Sequence, residues 1–161
     1  MSVIVYFSLG SNVGDRAAHL RQALARLGAL GAVRAVSGFY EAEPVEVGDQ
    51  PWFLNCAAAL ETRQAARDLL REALRIEQEM GRMRLRDKGP RSIDLDIVLY
   101  GDERISEPGL KIPHPAMHER RFVLEPLTEI APQAVHPVLN KTVCELLAAL
   151  PPGQVVRRLE S

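Results

Sequence analysis

Asp94 and Asp96, set in the run Arg91-Ser92-Ile93-Asp94-Leu95-Asp96-Ile97-Val98-Leu99-Tyr100, are the residues whose types and spacing point most directly to chemistry. Side chains of a strand alternate between faces, so Ile93, Leu95, Ile97 and Leu99 are expected on an apolar face and both aspartates on the other. Two residues along a strand span roughly 6 to 7 Å. Over that reach two carboxylates can hold one hard cation, or a pair about 3.5 to 4 Å apart, and an all-oxygen donor set favours Mg²⁺. Immediately upstream, Gly81 to Arg91 carries five basic side chains in eleven positions: Arg82, Arg84, Arg86, Lys88 and Arg91. Taken alone, an Asp-x-Asp strand is also how a solvated face reads, and a basic loop is more often a solvated connection. Side by side they are more specific. Carboxylates repel a polyanion unless cations or arginines intervene, so the pair predicts a site for polyphosphate. Gly81 and Gly89 predict freedom at both ends of the loop.

The chain as a whole sets the limits within which such a site can be built. Its 161 residues, 47% of them hydrophobic, suffice for one domain with a substantial core, and residues 1–161 are read as that single domain. A net charge of −1 provides no general basic field for nucleic acid or an anionic membrane, so any anion site must come from local clustering. Cys56 and Cys144 belong to no zinc-type spacing and are expected to be reduced core thiols. The apolar start Val3 to Phe7 lacks a preceding basic region and is too short for a signal peptide or membrane span, which predicts a cytoplasmic protein.

Several elements must position the aspartates. Val3 to Leu9 reads as a strand ended by Gly10-Ser11-Asn12, after which Ala17, Leu20, Leu24 and Leu27 recur at helical spacing. Val33 to Tyr40 resumes a strand pattern, and Glu43 to Pro51 breaks it with two prolines and a glycine. Trp52 to Glu61 is read as extended in spite of Ala57-Ala58-Ala59, a poor strand former. A helical stripe of Ala66, Leu69, Leu70, Ala73, Ile76 and Met80 ends at Gly81. With the Asp strand, the order is βαββαβ, which matches an α+β ferredoxin-like fold with an antiparallel sheet. Additional C-terminal helices are expected from about His118 to Ile130 and, behind a Thr142/Glu145 capping box, through Leu150.

These residues closely resemble the 6-hydroxymethyl-7,8-dihydropterin pyrophosphokinase family of folate biosynthesis. The resemblance runs through Gly10-Ser11-Asn12 with Gly14-Asp15, Phe39-Tyr40, Gln50-Pro51 with Phe53-Leu54-Asn55, and Ile76-Glu77 with Gly81-Arg82 and Arg84. It continues in Gly89-Pro90-Arg91-x-x-Asp94-Leu95-Asp96, Pro113-His114-Pro115, Glu119-Arg120, Phe122-Val123-Leu124 and Glu129-Ile130-Ala131-Pro132. It implies transfer of pyrophosphate from ATP, as co-substrate, to the pterin hydroxymethyl group, with release of AMP. It implies two Mg²⁺ ions on Asp94 and Asp96, with Arg82 and Arg91 as the catalytic side chains that neutralise the moving group and Arg84 closing on ATP. Glu77, Ile97, Lys111, His114 and Arg120 are implied around ATP. The pterin is implied between Phe53 and Phe122, near Asn55 and Asp94, with main-chain groups of Pro44, Val45 and Glu46 on its edge. Strand alternation independently puts Phe53 and Asn55 on one face, an apolar plate beside an amide, although without the resemblance both phenylalanines read as ordinary core. The expected enzyme is a monomer acting on small molecules, and no general base is assigned.

The chain departs from some relatives at Ala42, where a Thr occurs, at Lys88, where a Trp occurs, at Phe53, where a Tyr occurs, and at Ala116, where a basic residue is frequent. Its basic loop is also one residue shorter. Two other classes compete. A nucleotidyltransferase would join a Gly-Ser loop to an Asp-x-Asp strand and release pyrophosphate, but Gly10-Ser11 lies far from Asp94 in sequence. A ferredoxin-like RNA-binding module would need exposed aromatics in a basic setting, whereas aromatics are 5% of this chain.

Overall fold

Strand β1 (Val3–Ser11) lies inside an antiparallel sheet, between β4 (Phe53–Thr62) and the edge strand β5 (Asp94–Tyr100). The computed structural model describes residues 1–44, 51–81 and 92–159. On the far side of β4 lie β2 (Ala32–Val36) and β3 (Tyr40–Ala42), which pair with successive stretches of it, and β10 (Val156–Arg158) pairs with β3. The sequence pattern read β2 and β3 as one strand. The structure interrupts it at Ser37, whose Oγ accepts from the Ala57 N–H at 2.9 Å, so the side chain stands in for a ladder bond. The order β5-β1-β4-β3, with the helices between strands, is the ferredoxin-like arrangement.

Both faces of the sheet are covered, which explains the unusual composition of β4. Helices α1 (Arg16–Leu27) and α2 (Ala66–Glu79) pack on one face over Val5, Phe7, Leu9, Cys56, Leu60 and Leu95. Helices α3 (Arg121–Ile130) and α4 (Val143–Ala148) cover the other face over Ala57, Val98 and Leu99. Ala57, Ala58 and Ala59 are small enough for helices to approach a central strand from both sides, so packing overrides their weak strand propensity. Asp15 caps α1 by accepting from the Ala18 N–H at 3.1 Å. Gly81, at φ +82°, ends α2 in a left-handed conformation suited to glycine.

Some expectations require correction. The pairing of β1 with β5 shifts between Tyr6 and Phe7, leaving Val98 as an extra residue. That bulge sends Leu99 to the α3 and α4 face, away from Leu95 and Ile97. Cys144 is exposed on α4, whereas Cys56 is buried and its thiol is pushed up to about 12 by burial; both are free thiols. The segment from His118 is a 3-10 turn at Met117–Glu119 followed by α3, and the helix behind the capping box stops at Ala148. Short ladders join β6 (Ile105–Glu107) to β7 (Leu110–Ile112) and β8 (Val135–His136) to β9 (Lys141–Thr142). Among the described residues no helix is long and apolar enough to cross a membrane.

Helix α3 is tied to the sheet by Glu129. Its Oε1 accepts from the Tyr40 hydroxyl at 2.6 Å and from Arg158 Nε at 3.0 Å, and its Oε2 accepts from the Gly38 N–H at 3.0 Å. The Arg158 guanidinium, aided by the Tyr40 hydroxyl and the Gly38 N–H, holds this carboxyl down at about 2 against partial burial. A depressed carboxylate contributes stability that is complete above its ordinary value of 4.5 and disappears as pH falls through about 2. Glu129→Gln is therefore expected to cost about 1 to 2 kcal/mol at pH 7, because the carboxylate keeps partial solvent contact. Urea unfolding between neutral pH and about pH 2 checks this. The gap between wild type and variant should narrow as the solution is acidified.

Candidate active site

A row of side chains crosses the α3-facing side of the sheet. The register sets Asp94 opposite Gly10, Gly10 opposite Asn55, and Asn55 opposite Tyr40; one step away, Asp96 lies opposite Ser8. Alternation adds Phe53, two residues before Asn55 on the same face. A carboxylate, a gap and an amide thus stand in line beside an aromatic plate. The gap is required here, because a Cβ on Gly10 would sit 2.7 Å from Asn55 Oδ1 and 3.4 Å from Phe53 Cδ1.

Asn55 is 3% exposed, and its Nδ2 has no hydrogen-bond partner among the described residues. A buried donor left unpaired costs about 1 to 3 kcal/mol, and an acceptor on a bound molecule could satisfy it. Phe122, half-buried in the first turn of α3, lies under the Arg120 guanidinium at 5.6 Å from ring centroid to guanidinium carbon.

A cavity of about 370 Å³ opens on the other side of β5, between that strand, α2 and the segment after β7. Leu70, Leu74, Leu95 and Ile97 give it apolar walls, and Glu77, Asp96, Lys111 and His114 give it polar groups. Asp96 therefore belongs to both the cavity and the sheet face. Glu77 is buried, and its Oε2 accepts from the Leu95 N–H at 2.7 Å, satisfying a main-chain donor on the open edge of the sheet. His114 donates its own N–H to the Val98 carbonyl at 3.0 Å, and its Nδ1 accepts from the Ala116 N–H at 3.1 Å. An accepting Nδ1 leaves the ring proton on Nε2. Burial, and then the nearby Arg120 charge, push His114 down to about 4, so at neutral pH it is an uncharged donor.

Asp94 is half-buried and Asp96 exposed. Among the described residues no group of three or more His, Cys, Asp and Glu side chains gathers as a closed metal cage. Two carboxylate side chains suit Mg²⁺, which commonly keeps its waters and takes few protein ligands. The donor set therefore fits the ion.

Of the residues singled out in the sequence, the structure gathers Glu77, Asp96, Ile97, Lys111 and His114 around the cavity, and Phe53, Asn55 and Asp94 along the sheet row. Arg120 sits near both His114 and Phe122. Pro44 is half-buried, directly after Glu43, whose Oε1 accepts from the Val155 N–H at 2.8 Å. Val45, Glu46, Arg82, Arg84 and Arg91 lie outside the described residues, as does most of the basic run. Ser8, Leu70 and Leu74 were not singled out as site residues. For Ser8 a signal existed, since it alternates with Phe7 and Leu9 on β1 as a small residue beside Gly10.

A ferredoxin-like sheet whose edge strand carries paired aspartates, between a cavity of about 370 Å³ and a row of an aromatic ring and an amide, can serve a transferase for two small substrates. The model of the family described as 7,8-dihydro-6-hydroxymethylpterin-pyrophosphokinase (HPPK) matches residues 6–132, and the chain belongs to this family. It is 44% identical over 154 residues to the 2-amino-4-hydroxy-6-hydroxymethyldihydropteridine pyrophosphokinase of Methylorubrum extorquens, with 94% of this chain and 96% of the relative covered. It is 47% identical over 135 residues to the enzyme of that name from Bacillus subtilis, covering 83% and 81%. The folic acid synthesis protein fol1 of Schizosaccharomyces pombe is 46% identical over 150 residues, 92% of this chain, which spans only 20% of that relative's length. A crystal structure of Plasmodium falciparum HPPK-DHPS superposes with a TM-score of 0.72 at 17% identity, over 92% of this chain and 44% of that one. At that identity the likeness concerns the fold.

Proposed function

We propose that this chain carries out its family's reaction with the residues described above, transferring the pyrophosphoryl group of ATP to the 6-hydroxymethyl group of 6-hydroxymethyl-7,8-dihydropterin in folate biosynthesis. The observation that carries this reading is the continuity of the two sites through β5. Asp96 faces the cavity, and Asp94 begins the row that leads through Gly10 to Asn55. The substrate hydroxyl oxygen attacks the β-phosphorus, forming the new O–P bond. The bond from that phosphorus to the oxygen it shares with the α-phosphorus breaks, its electron pair leaves with AMP, and the hydroxyl proton passes to solvent.

Asp94 and Asp96 would hold two Mg²⁺ ions, which supply charge neutralisation for the triphosphate when bound. Glu77, Ile97 and Lys111 line the ATP side, with Arg120 nearby, and His114 offers its Nε2 proton to a phosphate oxygen. Asn55 donates from Nδ2 to an acceptor on the pterin, Phe53 and Phe122 flank the ring, and main-chain groups of Pro44, Val45 and Glu46 meet its edge. Arg82 and Arg91 stabilise the moving pyrophosphoryl group, and Arg84 assists at ATP. The free thiols of Cys56 and Cys144 and the near-neutral charge support a cytoplasmic enzyme that binds small molecules.

The decisive test is the nucleotide product. Purified protein incubated with ATP, Mg²⁺ and the hydroxymethyl dihydropterin should yield AMP in step with pterin diphosphate. Release of inorganic pyrophosphate would instead identify nucleotidyl transfer.

Gly10 provides a check on the pterin half of the site. Gly10→Ala places a methyl group against Asn55 and Phe53, and overpacking of this kind costs about 1 to 3 kcal/mol. Titrations should therefore find weaker pterin binding with the affinity for a non-hydrolysable ATP analogue retained. An equal loss for both ligands would mean that the substitution disturbs the sheet as a whole.

A further inference from the structure

The connection from β3 to β4 leaves the sheet at Ala42 and returns at Phe53, and described residues on three elements hold its two stems together. Arg16, in the first turn of α1, donates from Nη2 to Glu41 Oε2 at 2.8 Å and from Nη1 to the Trp52 carbonyl at 3.0 Å, so it bridges the outgoing and returning stems. Arg157 on β10 donates to Glu41 Oε1 at 3.0 Å and lies over the Trp52 ring at 5.4 Å. The returning stem is held once more where Asn12 Nδ2 donates to the Pro51 carbonyl at 3.2 Å. Glu41 is the shared acceptor. Its carboxyl is held below its ordinary range, first by the Arg16 hydrogen bond and then by that of Arg157.

Glu41 pairs with Leu54 and therefore points to the α1 side of the sheet, while Phe53 and Asn55 face the opposite side. It cannot touch a ligand lying on the sheet row. We propose that Glu41 is a positioning residue for the pterin half of the site: by engaging Arg16 and Arg157 together it fixes the two stems, and through Trp52 it sets the start of β4 on which Phe53 and Asn55 stand. The inference rests on the function proposed above for the identity of the ring, and on the stem geometry alone for the clasp.

The experiment compares wild type with Glu41→Ala and Glu41→Gln, and includes a readout independent of turnover. Trp52 is the chain's single tryptophan, so its fluorescence reports the clasp directly. Glu41→Ala should raise acrylamide quenching of Trp52 at least about twofold and raise the KM for the pterin about tenfold, with kcat and the dissociation constant of an ATP analogue changed less than about twofold. Glu41→Gln keeps an acceptor for one arginine and should fall between wild type and alanine in both readouts. It also serves as the test if the alanine variant does not fold. Unchanged pterin KM with altered Trp52 quenching, unchanged quenching, or equal losses for pterin and ATP would each overturn the proposal. Wild-type protein that binds no pterin would instead sink the functional reading, while the quenching comparison would still report on the clasp.

Discussion

Replacement of either Asp94 or Asp96 by alanine is expected to lower kcat by about 10³-fold or more, the scale at which a phosphoryl-transfer site loses its metal-borne charge compensation. Neither change should unfold the protein. Asp94 is only half-buried, Asp96 is exposed, and the apolar side chains that anchor β5, Leu95 and Ile97, are untouched. The two variants should nevertheless differ in one respect. Asp96 lines the cavity, so its loss should weaken Mg²⁺-dependent binding of an ATP analogue directly, whereas Asp94 begins the row toward Asn55 and its loss should also weaken the pterin. Asp96→Asn preserves shape but removes the negative charge and one of the two oxygens offered to a hard cation, so it too should be severely impaired. Steady-state kinetics across a Mg²⁺ titration, with circular dichroism to confirm the fold, decide the matter. Near-normal Mg²⁺-dependent turnover in both alanine variants would remove the aspartates from the metal site.

The reach and the limits of the sequence both follow from local rules. Asp94 and Asp96 were placed on one face by strand alternation, and they remain there because the irregularity in β5 falls after them, at Val98. Leu99 was misplaced because a bulge leaves no mark in a run of apolar residues that is buried on both faces. The capping box at Thr142 and Glu145 was legible because it depends on four consecutive residues, and both of its hydrogen bonds form, at 3.1 and 2.8 Å. Strand β10 was not legible. Its three residues Val156–Arg158 follow a double proline and carry two arginines, and only its partner β3 makes it a strand. The same tertiary origin hid the Glu41 clasp, whose members stand at positions 16, 41, 52 and 157. The cavity was half visible. Its charged members could be named through the resemblance, but Leu74 is an exposed helical leucine, and only the β6 and β7 hairpin, which brings Leu110 and Lys111 to the same cavity, makes it a wall residue.

Arg82→Ala and Arg91→Ala are expected to slow the chemical step by about 10² to 10³-fold, the range for removing one donor aimed at developing charge, while weakening ground-state binding far less. Both residues lie outside the described structure, but the two stems of their segment do not. Ser92 Oγ donates to the Met80 carbonyl at 3.2 Å, which joins the end of α2 to the approach to β5. A few residues on, Glu77 receives the Leu95 N–H beside the cavity. A segment leaving Gly81 and returning at Ser92 therefore starts and ends next to Glu77 and Asp94, where the triphosphate is proposed to lie. The segment carries five cationic side chains in eleven positions and a single acidic one, Asp87, a net positive charge of the sign that a polyanion attracts. As the pyrophosphoryl group moves, negative charge builds on the oxygen departing with AMP. Guanidinium groups that meet that charge better in the transition state than in the bound substrates accelerate the step without tightening binding. Arg82→Lys should recover only part of the rate, since a point charge cannot reproduce two-pronged phosphate recognition. Single-turnover kinetics at saturating substrates, set beside separately measured dissociation constants, distinguish the alternatives. If either alanine variant loses affinity while its single-turnover rate is unchanged, that arginine acts in substrate binding and not in the transfer.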